Sequence, residues 1–194
     1  YLYPPPITDP RGGLYPDARI DPLVGQTAFA WDAFNRPVAV TDPNGVTTVT
    51  RYDDPAGFGA LDRVYQVVRQ GNTPSEDLVT EHVYTPFGDL HQTILPRGNV
   101  IEYGYDAAGR RISIERKPDP VTPGERTLWT LDAAGNRVRE EKQRFDGGAW
   151  VAAAVTDFVY ARQCELEQVI QAPGMPEEAI TEYAYDCNGR LDRV

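Results

Sequence analysis

Chemistry in this sequence would have to come from its acids, its two histidines, its two cysteines or its aromatic side chains, and the spacing selects none of them for catalysis. Asp42-Pro43-Asn44-Gly45 opens like a calcium loop, but its glycine comes too early and Val46 follows it. The 29 Asp and Glu residues would permit a carboxylate pair for glycoside hydrolysis, yet no pattern singles out two of them. Cys164 and Cys187 fall short of a zinc site, which takes four ligands at close spacing. At neighbouring hairpin tips they would stand roughly 10 Å apart, too far for a disulfide, so two free thiols are expected. His82 sits two before Tyr84 on one strand face, and His91 has nothing around it in sequence to make it a ligand. Gly-x-Ser-x-Gly, His-Glu-x-x-His and phosphate-cradling loops are absent. The expectation is a chain that is not an enzyme, with no catalytic, cofactor-binding or metal-binding residue.

A net charge of −10 argues against nucleic acid, whose phosphates need Lys and Arg, and against an anionic membrane surface. No apolar run is long enough to span a bilayer, so no membrane insertion by this segment is expected. The excess acid is read as solubility.

The elements that would position any site are repeated. In residues 101–105, Ile101, Tyr103 and Tyr105 alternate with Glu102 and Gly104, the period of a strand with one buried face. Asp106-Ala107-Ala108-Gly109 follows, an Asp that bonds its own turn and a Gly that takes left-handed backbone. After Arg110 the alternation resumes through Ile112 and Ile114. The unit is strand, tight turn, strand. Clear copies centre on Trp31-Asp32, Leu131-Asp132 with Gly135, and Tyr185-Asp186 with Gly189 and Arg190; Asn35 replaces Gly in the first. Weaker copies centre on Tyr52-Asp53, Tyr84 and Tyr160. The anchors are thus residues 31, 52, 84, 105, 131, 160 and 185, with spacing that varies as the loops opposite the turn vary.

These residues carry a resemblance. Tyr-Asp-x-x-Gly-Arg, preceded by Asp42-Pro43-Asn44-Gly45-Val46 in one copy and by Pro96-Arg97-Gly98-Asn99-Val100 in another, resembles the YD repeat of Rhs proteins. That family includes bacterial Rhs polymorphic toxins, the shell-forming parts of Tc toxin complexes, and teneurins. The resemblance covers about residues 28–194 and implies an all-β fold: a spiral array of antiparallel hairpins forming an arc of a hollow β-cocoon. It implies a structural role, encapsulating a C-terminal toxin or effector. The partners would be the remaining shell repeats and that enclosed domain, in a secreted or cell-surface bacterial protein. The alternative is an adhesion scaffold binding glycan or protein through exposed aromatics. The named anchors, turn acids, glycines and arginines are on this reading repeat-defining structural residues. Some Rhs proteins cut themselves near the end of the repeat shell at an aspartate-containing segment; no Asp-Pro-x-Gly lies close to the C-terminal end of this sequence, and Asp42-Pro43-Asn44-Gly45 comes too early for that role.

Residues 1–25, with prolines at 4, 5, 6, 10, 16 and 22, are expected to be an extended lead-in, and residues 26–194 the repeat sheet. The short stretch after Tyr185 reads as a piece cut from a longer array, whose open edges would invite self-association. Residues 137–145 contain good helix formers, but the Asp-Gly-Gly turn at 146–148 and the strand-like run after it favour a hairpin. Proline-rich loops are expected at 117–126 and 172–178. Aromatic pairs such as Tyr103/Tyr105 and Trp129/Leu131 are read as a ladder holding the sheet rather than as a ligand platform.

Overall fold

The computed structural model describes residues 18–21, 23, 25–52, 63–161, 165–186 and 188–194. Asp53, Cys164, Cys187 and most of the proline-rich lead-in lie outside the described residues, and with them the expectation of two free thiols. The chain divides into two units, Tyr1–Arg97 and Gly98–Val194.

In the first unit seven strands follow in chain order: β1 (Ala18–Asp21), β2 (Gly25–Trp31), β3 (Pro37–Thr41), β4 (Thr47–Tyr52), β5 (Val64–Arg69), β6 (Leu78–Tyr84) and β7 (Leu90–Ile94). Each pairs antiparallel with the next. Strand β1 falls inside the stretch read as lead-in and pairs Ala18 with Ala28, so regular pairing begins before residue 26. The second unit repeats the scheme with β8 (Val100–Tyr105), β9 (Arg111–Lys117), β10 (Glu125–Leu131), β11 (Arg137–Asp146), β12 (Ala149–Tyr160), β13 (Leu166–Gln171) and β14 (Ala179–Glu182). A separate hairpin joins β15 (Ala184–Tyr185) to β16 (Leu191–Arg193).

The fold is all-β and antiparallel, as the two-residue alternation predicts, with no α-helix among the described residues. Residues 137–145 extend as β11, turned into β12 by Gly147 and Gly148 at φ 57° and 90°. Two consecutive positive φ values give the mirror-image turn whose twist suits a hairpin. The prolines of residues 118–124 and 172–178 interrupt pairing between strands.

One expectation is corrected. Alternation predicts a buried face, yet among the described residues the only buried side chains are those of Val68, Thr93 and Val100, with Gly88 buried beside them. The register explains this, because each face carries polar residues among the apolar ones. On β4, β5 and β6, Arg51 donates to Gln66, which donates to Glu81, on the same face as the stacked Val49, Val68 and Val79. Among the described residues, substantial contacts between elements join only strands adjacent in the chain, so a layer that would turn half-buried side chains into a core is not supplied by these elements.

Candidate functional site

The repeated feature is the turn after each anchor. At Asp106, Oδ1 accepts the N–H groups of Ala108 and Arg110, each at 2.9 Å, and Oδ2 accepts Arg110 Nε at 2.7 Å. The main chain closes the same loop through Asp106 N–H to Arg110 O and Gly109 N–H to Asp106 O. Gly109 at φ 74° provides the left-handed residue that ends a type I turn of this kind. One carboxylate therefore caps the turn with one oxygen and pins the return strand's arginine with the other.

Asp32 repeats the arrangement with Phe34 N–H, Arg36 N–H and Arg36 Nε, and Asn35 takes the glycine's place at φ 60°. At Asp132 the arginine is replaced by Asn136, whose side chain reaches Oδ2 at 2.9 Å. Asp186 accepts the N–H groups of Asn188 and Arg190, and Gly189 has φ 73°. At Thr85 a hydroxyl substitutes for the carboxylate and accepts the Asp89 N–H. This is the weaker copy centred on Tyr84, which lacks the acid but keeps the turn glycine, Gly88 at φ 87°.

Hydrogen bonding sets the acidity of these groups. Burial pushes Asp32 up, but the Arg36 amide and guanidinium and the Phe34 amide outweigh it and hold the carboxyl below its ordinary range. The Arg110 amide is foremost in lowering Asp106, and the Asn136 side chain in lowering Asp132. Burial lowers His82, whose Nδ1 lies 3.2 Å from the buried Thr93 Oγ1 across the hairpin.

A β-bulge accompanies every anchor. The register shifts between Ala30 and Trp31, Arg51 and Tyr52, Val83 and Tyr84, Gly104 and Tyr105, Thr130 and Leu131, Val159 and Tyr160, and Ala184 and Tyr185. The extra residue lies on the return strand, one after the residue paired with the anchor, where a bulge bends the strand and increases its twist. In the first unit the anchor phenols reach the preceding hairpin: Tyr52 Oη donates to Pro37 O at 3.1 Å, and Tyr84 Oη to Val64 O at 2.7 Å. Arginines cover the same rings, Arg36 at 4.4 Å from the Tyr52 centroid and Arg63 at 5.3 Å from that of Tyr84. In the second unit Arg110 reaches forward to Asp132 O at 3.1 Å. These links between hairpins join arginine to ring and phenol to carbonyl. The expected aromatic pairing on one face is seen at Phe29 and Trp31, whose rings stack at 6.2 Å. Trp129, a candidate platform, has Arg137 over its ring and its Nε1 bound to Glu140. No group of His, Cys, Asp and Glu among the described residues is arranged to hold a metal.

The family model described as RHS Repeat matches residues 18–47, 31–57 and 84–122. Residues 18–57 and 84–122 thus carry RHS repeats. No curated protein matches this chain in sequence. Among solved structures it is similar to a Tc holotoxin pore from Photorhabdus luminescens, at TM-score 0.66 and 18% identity over 86% of this chain. It is similar also to a TcdB2-TccC3 complex, at TM-score 0.66 and 15% identity over 91% of this chain. A third likeness is to TcdB2-TccC3 without its hypervariable C-terminal region, at TM-score 0.64 and 14% identity over 87% of this chain. The match covers 9% of the first and third of those chains and 10% of the second, so the likeness concerns the fold of one small part of them.

Proposed function

We propose that this chain is a non-catalytic wall segment of an RHS-repeat shell that encloses a C-terminal toxin or effector domain in a secreted or surface-delivered bacterial protein. The observation that carries this reading is the uncovered sheet: among the described residues substantial contacts join strands to their neighbours in the chain, and hardly a side chain is buried. Such a sheet suits a wall, because its function is to extend, and its half-buried faces await other parts of the same assembly. The turn carboxylates support a structural role, since their oxygens are occupied by backbone N–H groups and by Arg or Asn side chains. In the second unit β14 pairs through β13 alone among the described residues, and the next repeat, or another copy of the chain, would continue from there.

Limited proteolysis of the full-length protein that contains this chain tests the reading. Its C-terminal domain is expected to resist protease until the repeats are denatured, and then to be digested. Immediate digestion of that domain while the repeats remain intact would overturn encapsulation.

A further inference from the structure

One position of the repeat is filled differently in two consecutive hairpins. The residue that pairs with the anchor and begins the return strand is Pro37 beside Trp31, Val64 beside Tyr52 and Leu90 beside Tyr84. It is Leu166 beside Tyr160 and Leu191 beside Tyr185. Beside Tyr105 and Leu131 it is Arg111 and Arg137. Both guanidiniums converge on a single ring: Arg137 Cζ lies 4.4 Å and Arg111 Cζ 5.7 Å from the Trp129 centroid. They can be no more than about 10 Å apart, about a Debye length at roughly 0.1 M salt, and they repel.

Neither charge is answered by an ion pair among the described residues. Arg110, next to them, is already engaged by Asp106 and by Asp132 O. The acid nearest the ring, Glu140, accepts the Trp129 indole N–H at 2.9 Å and stands 3.5 Å from Lys142 Nζ. Together with Tyr105, Leu131 and two turn glycines, the three arginines line a cleft of about 440 Å³. It is a cationic spot on a chain of net charge −10.

The geometry points to a carboxylate-binding cleft between the two turns, with Arg111 and Arg137 as its charged jaws. A planar guanidinium fork matches a carboxylate with two parallel hydrogen bonds, and stacking on an indole holds the fork ready. A carboxylate between the two would also cancel their repulsion. Leu131 and Tyr105 give the methylene carbons of an acidic side chain an apolar wall, which a bare phosphate or sulfate could not use. The ligand is thus a carboxylate borne on a short aliphatic stem, either an acidic side chain of another polypeptide or a free organic acid. This inference is independent of encapsulation.

The test follows the Trp129 indole resonance of the ¹⁵N-labelled chain during titration at constant ionic strength. The probes are a capped tetraglutamate peptide, sodium butyrate and inorganic phosphate. A saturable shift with a carboxylate probe is expected, weakened at least tenfold in Arg111→Leu/Arg137→Leu, which restores the apolar residue type of the other hairpins. Arg111→Gln/Arg137→Gln serves the same purpose should leucine disturb folding. Saturation by the peptide alone assigns a polypeptide side chain; butyrate binding as tightly assigns a free acid. Shifts that never saturate, that persist in the double variants, or that phosphate reproduces equally would overturn the inference.

Discussion

Within each unit the hairpins turn at two rims, and the two are built on different rules. At the rim that follows the anchors, Asp32, Asp106 and Asp132 close five-residue loops with the same bonds, and Thr85 imitates them. At the opposite rim Asp42 uses that turn once, accepting the N–H groups of Asn44 and Val46. Elsewhere on that rim the chain uses a 3₁₀ turn at Pro74–Glu76, a two-glycine turn at 147–148, and longer proline-containing loops at 118–124 and 172–178. A turn that satisfies its polar groups within five residues sets the register of the strands that follow and tolerates little change. A loop that only has to return the chain can vary, because closure entropy grows slowly with length. The uneven spacing of the anchors follows from this difference.

The largest effect should come from moving an insertion between rims. Two residues added between Ala107 and Ala108 separate Asp106 from both amides and from Arg110, and the unfolding midpoint is expected to fall by roughly 10 °C. The same two residues between Thr122 and Pro123 leave the bonds from Val121 and Thr122 to Asp119 in place. There the midpoint should fall by no more than about 3 °C. Equal losses at both places, in thermal melts followed by circular dichroism, would erase the distinction between the rims.

Next in size is a pair of glycines whose order reverses the obvious expectation. Gly109 has φ 74° and open space where a Cβ would go, so Gly109→Ala should cost about 1 kcal/mol of backbone strain. Gly109→Asn should cost less, as Asn35 serves at φ 60° in the equivalent place. Gly124 lies on the variable rim, but a Cβ there would overlap the Arg116 carbonyl oxygen. Gly124→Ala should therefore cost the more, about 2–3 kcal/mol, by urea denaturation. A variable loop can still contain one rigid contact.

That contrast marks how far the sequence is legible. The Tyr-Asp turns can be read directly, since every bond that makes them spans four residues or fewer, and strands β6 and β8 follow from alternation between them. Gly124 cannot be read: its constraint comes from Arg116, on the preceding strand. Arg111 and Arg137 are visible as breaks in an apolar pattern, but only the register shows that they meet at Trp129. The uncovered faces are likewise beyond local pattern, because alternation reports which side chains share a face and not whether anything lies on it. The bulge opposite each anchor is also hidden, because its extra residue on the return strand shows only in the register.

The smallest effect separates the rims by charge. Asp106 and Asp119 are both held below the ordinary carboxylate range, Asp106 foremost by the Arg110 amide and Asp119 foremost by the Thr122 amide. As pH falls, the unfolded chain takes up protons first, so each contributes stability that is present above about pH 4 and lost as pH drops through its lower folded value. Asp106→Asn and Asp119→Asn keep an acceptor oxygen and should each flatten this acid limb, with little difference from the parent near pH 2. Only Asp106 also faces a guanidinium, Arg110 Nε at 2.7 Å. Salt should therefore shrink the deficit of Asp106→Asn at pH 7 and leave that of Asp119→Asn unchanged. Urea midpoints in 0.05 M and 1 M sodium chloride decide it. An equal salt response in both variants would mean that the arginine adds no charge term to the turn, leaving backbone capping as the whole of what the Tyr-Asp rim shares with its opposite.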